Sequence, residues 1–224
     1  MNYLWAKALF AGMLLSFSAA SFAGQESALY SNLDAGKAQT VVAYGTSLTA
    51  FGAWVQQLGD DLNQRYPGRA TVINSGKGSM WSGWGVENLD SRVISKSPDT
   101  VFIEFAVNDA FVPNNTTVEQ ARKNLELMID RIKAAKSSTE IILTVTNPVI
   151  GASAVQRPQL RDYFQMYRDV AEARGLRLID NYPRWEAVLK SNPDLFNQYV
   201  ADGLHPNADG YRAVVTPSLI ENLS

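Results

Sequence analysis

The 224-residue sequence predicts an α/β protein, a three-layer α/β/α sandwich around a parallel five-stranded sheet. Three observations carry this. Five short runs are apolar almost without interruption, as in strands buried on both faces, rather than alternating as in a sheet with one wet face. Stretches with apolar residues at helical spacing lie between them. No internal repeat, low-complexity tract or linker divides the chain, whose length suits one domain with a substantial core.

In chain order, Thr40–Tyr44 is β-branched and apolar and reads as the first strand. Phe51, Trp54, Val55, Leu58 and Leu62 follow at helical spacing. Ala70–Asn74 is the second strand, ended by Ser75-Gly76-Lys77-Gly78. Val86, Leu89 and Val93 mark a short helix, and Thr100–Ala106 the third strand. Val118, Ala121, Leu125, Met128, Ile129, Ile132 and Ala135 form the clearest stripe of the chain. Glu140–Thr146 is the fourth strand, closed by Asn147-Pro148. Leu160, Tyr163, Phe164, Tyr167, Val170 and Ala171 give another helix, which Gly175 suits as a stop, and Leu176–Ile179 is the fifth strand. A last helix starts near Asn207 or Ala208, and Pro217 should bend or end it.

Residues 1–23 read as a secretory signal, leaving 24–224 as the mature domain. Lys7 precedes an apolar stretch from Ala8 to Phe17, and Ser21-Phe22-Ala23 offers small residues at a cleavage site. The other reading, a membrane anchor, suits this segment less well: it is short and diluted by Gly12, Ser16 and Ser18. Export from a bacterial cell, to the periplasm or medium, with no stable membrane insertion after cleavage, is the expectation. Removing Lys7 leaves 19 basic and 22 acidic residues, a net charge of −3. No basic run stands out, so nucleic acid is not an expected partner. The absence of cysteine excludes disulfides and thiolate chemistry, and a single histidine excludes a multi-histidine metal site. No Asp-rich calcium loop is visible, and no metal or cofactor is expected.

Any imidazole chemistry must run through His205, in Asp202-Gly203-Leu204-His205-Pro206. Asp202 is close enough to hold one ring nitrogen and leave the other for a nucleophile. Ser47, in Tyr44-Gly45-Thr46-Ser47-Leu48-Thr49 after the first strand, is the candidate. Alone it reads equally well as a helix-capping serine. Thr49 stands where the nucleophile elbow of α/β-hydrolases has its second glycine, which argues against that fold. Asn108, after the third strand, could donate to an oxyanion or simply form a turn, with Asp109 holding the turn. Gly76 and Gly78 could bring backbone N–H groups to a substrate oxygen or make a tight connection. Ser47, Gly76–Ser79 and Asn108 follow the first, second and third strands, at the carboxyl ends where open parallel sheets gather their sites.

Together these residues resemble the SGNH/GDSL hydrolase family of esterases and lipases. Gly45-Thr46-Ser47-Leu48 matches its first block with Thr46 for the usual Asp, and Ala106-Val107-Asn108-Asp109 its third with Ala106 for the usual Gly. Asn74 to Ser79 matches the second block, and Asp202 to Pro206 the last. The family's oxyanion glycine lies five residues after the Asn, where this chain has Ser79; Gly78, one residue earlier, is taken as the donor. The resemblance implies a flavodoxin-like sandwich and a Ser47–His205–Asp202 triad with an oxyanion hole from Gly78 and Asn108. It implies hydrolysis of carboxylic esters through an acyl-enzyme. Export, with Trp81 and Trp84 near the second block and Trp54 near the serine, favours an acetyl or other short acyl group on carbohydrate. Trp54 reads more readily as core. Lysophospholipase or acyl-thioesterase activity, acyl transfer, and a non-catalytic glycan-binding module are the alternatives.

Overall fold

The computed structural model describes residues 25–224; the signal reading of 1–23 falls outside them. The chain runs α1 (Ala28–Asp34), β1 (Gln39–Gly45), α2 (Ser47–Ala50), α3 (Ala53–Arg65), β2 (Ala70–Asn74), α4 (Ser82–Arg92), β3 (Thr100–Glu104) and α5 (Ala106–Asp109). It continues through α6 (Val118–Ala135), β4 (Glu140–Val145), α7 (Gly151–Val155), α8 (Leu160–Arg174), β5 (Arg177–Asp180), α9 (Tyr182–Ser191) and α10 (Pro193–Tyr199). A last helical stretch holds α11 (Ala208–Gly210), a π-turn (Tyr211–Val215) and α12 (Thr216–Leu223).

All pairings are parallel, in the order β2-β1-β3-β4-β5. The five-stranded α/β/α sandwich is therefore as the sequence predicts, with the order reversing between β1 and β3, where such sheets bind ligands. Alternation along the strands divides the core. Val42, Tyr44, Val101, Ile103, Ile141 and Leu143 pack with residues of α4, α6 and α8. Val41, Ala43, Phe102, Ile142 and Ile179 face the other layer, with residues of α1, α3, α9, α10 and α12. α6 buries Ala121, Leu125, Met128, Ile129 and Ile132 of its stripe, and the Thr117 side chain caps it by accepting from the Gln120 N–H.

The departures have local causes. β3 stops at Glu104 because Phe105 leaves extended geometry and gives its N–H to the Tyr167 hydroxyl; Ala106–Asp109 then makes a helical turn. β5 begins at Arg177 because Leu176 closes α8: its N–H reaches the Ala171 carbonyl around the left-handed Gly175. Phe51 lies outside α3 and is 79% exposed. The neighbouring Gly52 explains this, since a Cβ there would overlap the Leu48 carbonyl, marking a tight turn rather than a helix. Pro217 neither ends nor sharply breaks the last helix. The π-turn before it, with Thr216 N–H bonded back to Tyr211, absorbs the register change where proline lacks a donor.

Candidate active site

Gly45 ends β1 and Thr46 turns the chain into α2, accepting the Leu48 N–H on its own hydroxyl at 3.2 Å. Ser47 is thereby the first residue of α2, on the carboxyl edge of the sheet. The Leu48 carbonyl accepts from Trp54 Nε1 and from the Tyr211 hydroxyl, both at 3.0 Å. Trp54 is buried edge-on to Phe102, with ring centroids 5.6 Å apart. Its indole tethers the serine turn from within the core and does not line the cavity that opens over Ser47.

The single histidine meets this turn from the far end of the chain. Ser47 Oγ lies 2.8 Å from His205 Nε2, and His205 Nδ1 lies 2.6 Å from Asp202 Oδ2. Asp202 Oδ1 accepts the N–H groups of Leu204 and His205. Burial acts to raise the Asp202 carboxyl, but these donors and the imidazole outweigh it and hold the acid below its ordinary range. Gly203 has φ +74°, and a Cβ there would stand 2.6 Å from the Ile150 carbonyl. The loop is pinned to the β4–α7 connection: Ile150 N–H donates to Gly203, and buried Asn147 donates to the Leu204 carbonyl.

The loops after β2 and β3 complete the edge. Asn108, buried in α5, donates from Nδ2 to the Met80 carbonyl and accepts on Oδ1 from Arg157 at 3.4 Å. One amide hydrogen remains for another acceptor. Asp109 accepts the Ser82 N–H at the start of α4, so it holds the turn as expected; burial pushes its carboxyl up to about 7. The N–H groups of Ser47, Gly78 and Ser79 have no hydrogen-bond partner among the described residues. Ser79 has φ +65°, a left-handed backbone that favours glycine, at the position where Gly is usual.

A cavity of about 440 Å³ opens over these groups, lined by Ser47, Gly78, Ser79, Asn108 and His205. Phe51, Phe111 and Tyr211 supply its aromatic surface, and Ser153, Gln156 and Arg157 a polar side. Trp81 and Trp84 are not among the lining residues; Trp84 packs against Tyr44 and the Arg92 guanidinium. The tryptophans close in sequence to the serine and to the second block are thus not the aromatics of the pocket. Arg157, largely buried, also escaped sequence reasoning. Its Nε donates to the Val107 carbonyl and its guanidinium stacks 4.8 Å over Phe111, contacts no local pattern announces.

The parallel sandwich thus brings a serine, a histidine and a carboxylate into hydrogen-bonded series at the carboxyl edge of the sheet. The chain belongs to the GDSL-like Lipase/Acylhydrolase family, whose sequence model matches residues 41–213, and it is a carboxylic ester hydrolase. Among solved structures it is similar to a lipase/acylhydrolase from Enterococcus faecalis, at 26% identity and TM-score 0.70 over 83% of this chain and 95% of that one. It is also similar in fold to the acetylxylan esterase Axe2 from Geobacillus stearothermophilus, at 19% identity and TM-score 0.71 over 84% and 95%. A third neighbour is LAE5, an α/β hydrolase from the metagenome of Lake Arreo, at 22% identity and TM-score 0.71 over 84% and 96%. No curated protein matches the chain.

Proposed function

We propose that Ser47 is the nucleophile of an esterase whose general base is His205, oriented by Asp202. The observation that carries this is the unbroken series from Ser47 Oγ through the imidazole to Asp202. Ser47 Oγ attacks the ester carbonyl while His205 Nε2 takes its proton. The oxyanion is held by the Ser47 N–H, the free N–H groups of the Gly78–Ser79 pair and the spare Asn108 amide hydrogen. His205 returns the proton to the departing alkoxide. A water then gives a proton to His205 and attacks the acyl-enzyme; His205 returns that proton to Ser47 Oγ as the acyl–oxygen bond breaks and the acid leaves. Among the described residues neither the Gly78 nor the Ser79 N–H has a partner; the left-handed backbone of Ser79 supports Ser79 as the closer counterpart of the usual glycine.

An acetyl or other short acyl group on carbohydrate is the substrate class we favour. Ser153, Gln156 and Arg157 suit hydroxyl-rich ligands, and Phe51 and Phe111 offer aromatic surface for a sugar ring. Axe2, a fold neighbour, is an acetylxylan esterase. The exposed Phe51, which lines the cavity, favours a second reading, a longer acyl chain held there. The sequence of residues 1–23 supports export, and no helix among the described residues is long and apolar enough to cross a membrane. Ser47→Ala should abolish fluorophosphonate labelling and lower nitrophenyl acetate hydrolysis at least about a thousandfold. Near-full activity in that variant refutes the mechanism. A preference for long acyl chains in a nitrophenyl ester series refutes the short-acyl reading.

A further inference from the structure

Glu104, the last residue of β3, lies directly behind the serine turn and is only 3% exposed. Its Oε2 accepts three hydrogen bonds from that turn: Thr46 Oγ1 at 2.8 Å, Thr46 N–H at 3.2 Å and Thr49 Oγ1 at 3.2 Å. Gly45 makes room for this, since a Cβ there would stand 2.8 Å from Glu104 Oε2 and 2.5 Å from Thr49 Oγ1. The other oxygen, Oε1, is buried without a partner among the described residues. Glu104 lines a small chamber of about 20 Å³, together with Thr144, Thr146, Asn181 and Trp185. Each of these four residues likewise carries a buried polar atom with no partner among the described residues: Thr144 Oγ1, Thr146 Oγ1, Asn181 Oδ1 and Trp185 Nε1.

Five residues around one chamber that each carry an orphaned polar atom are too many for a dry interior. The chamber is large enough for a water, which needs roughly 10–15 Å³. Among the described residues no Lys, Arg or His bonds to Glu104, and a buried carboxylate without a positive partner tends to take up a proton despite such hydrogen bonds. Three donors already occupy Oε2, so the proton belongs on Oε1 and points into the chamber. We propose that Glu104, as a neutral acid, is a positioning residue for the serine turn, backed by a water that Thr144, Thr146, Asn181 and Trp185 hold in the chamber. The proposal rests on Ser47 being the nucleophile.

The neutral state has a consequence for the reaction. A negative charge behind Ser47 would oppose the developing oxyanion and favour the protonated imidazole. The titratable groups around Glu104 are Asp109 on α5, Tyr167 on α8 and Tyr211 on the π-turn, with His205 across the serine turn. Asp109, Tyr167 and Tyr211 are all pushed upward, chiefly by burial, and none carries positive charge to stabilise an ionised Glu104. Burial raises Glu104 itself to about 8, against the bonds from Thr46 and Thr49 that favour the anion.

Nitrophenyl acetate kinetics of Glu104→Gln and Glu104→Leu test the proposal. Glutamine mimics the neutral acid: its carbonyl can accept the three donors while its amide faces the chamber. Glu104→Gln should keep kcat and KM at pH 7 within about threefold of the parent and lose an alkaline decline in kcat centred near pH 8. Glu104→Leu should lower kcat and the fluorophosphonate labelling rate of Ser47 about 10- to 100-fold, with KM within about twofold. If the leucine variant does not fold, Thr46→Val removes one donor and should lower kcat about fivefold. Parental kcat in Glu104→Leu or in Thr46→Val overturns the proposal. So does a Glu104→Gln variant as slow as the leucine variant, or one that keeps the alkaline decline. A high-resolution crystal structure without water density between Glu104 and Asn181 overturns the chamber's part. Ser47→Ala, assayed alongside, separates the two levels: an active Ser47→Ala sinks the nucleophile assignment. An inactive Ser47→Ala with a fully active Glu104→Leu or Thr46→Val sinks only the role of Glu104.

Discussion

Raising the pH from 4.5 to 8.5 should destabilise the parent protein more than its Glu104→Gln variant. The Glu104 carboxyl lies at about 8 in the fold against an ordinary 4.5, chiefly because it is buried. A raised carboxyl means that the fold holds a proton the unfolded chain releases. The stabilisation is therefore present in full below pH 4.5 and is lost as pH rises through about 8. The interval of 8 − 4.5 = 3.5 pH units, at about 1.4 kcal/mol per unit, sets a ceiling of about 5 kcal/mol. Relaxation and water in the chamber reduce this to a few kcal/mol.

Glutamine carries no such proton, so its difference in stability from the parent should move in its favour by that amount across the interval. Asp109, raised to about 7 from an ordinary 3.8, tilts both proteins in the same direction; only its repulsion of an ionised Glu104 enters the difference between them. Urea unfolding of both proteins at several pH values measures the difference directly. Parallel stability curves between pH 4.5 and 8.5 would refute a buried neutral Glu104.

Asp202→Asn removes the acceptor that fixes the His205 Nδ1 proton and should lower kcat about 10²- to 10⁴-fold with a much smaller effect on KM, in steady-state kinetics. Arg157→Met frees Asn108 Oδ1 and should lower kcat about tenfold; in an Asn108→Ala background the same change should add little, which a double-mutant cycle reads out. Gly203→Ala meets both a φ of +74° and the Ile150 carbonyl, so it should lower stability by about 1–3 kcal/mol in urea unfolding and displace His205 enough to reduce kcat about a hundredfold.

The legible parts of this protein are those whose physics is local or repeats along the chain. Strands buried on both faces must be apolar throughout, so β1, β3 and β4 declare a covered parallel sheet. Asp202 and His205 are three residues apart, and their bond follows from a turn that Gly203 permits. The contact of Ser47 with His205, 158 residues away, has no local sign; Ser47 lies at a strand end, and the His205 loop reaches that edge because it is pinned to the connection after β4. Glu104 and Arg157 escape because their meaning is relational. Glu104 is a polar residue ending an apolar strand until the missing Cβ of Gly45 and the hydroxyls of Thr46 and Thr49 give its carboxyl a task. Arg157 is a charged residue after a short helix until it meets the Asn108 amide across the pocket. The tryptophans mislead for the converse reason: nearness in sequence to the serine is not nearness to its hydroxyl. A tight turn at Gly52 carries Phe51 out to the cavity mouth and sends Trp54 down into the core.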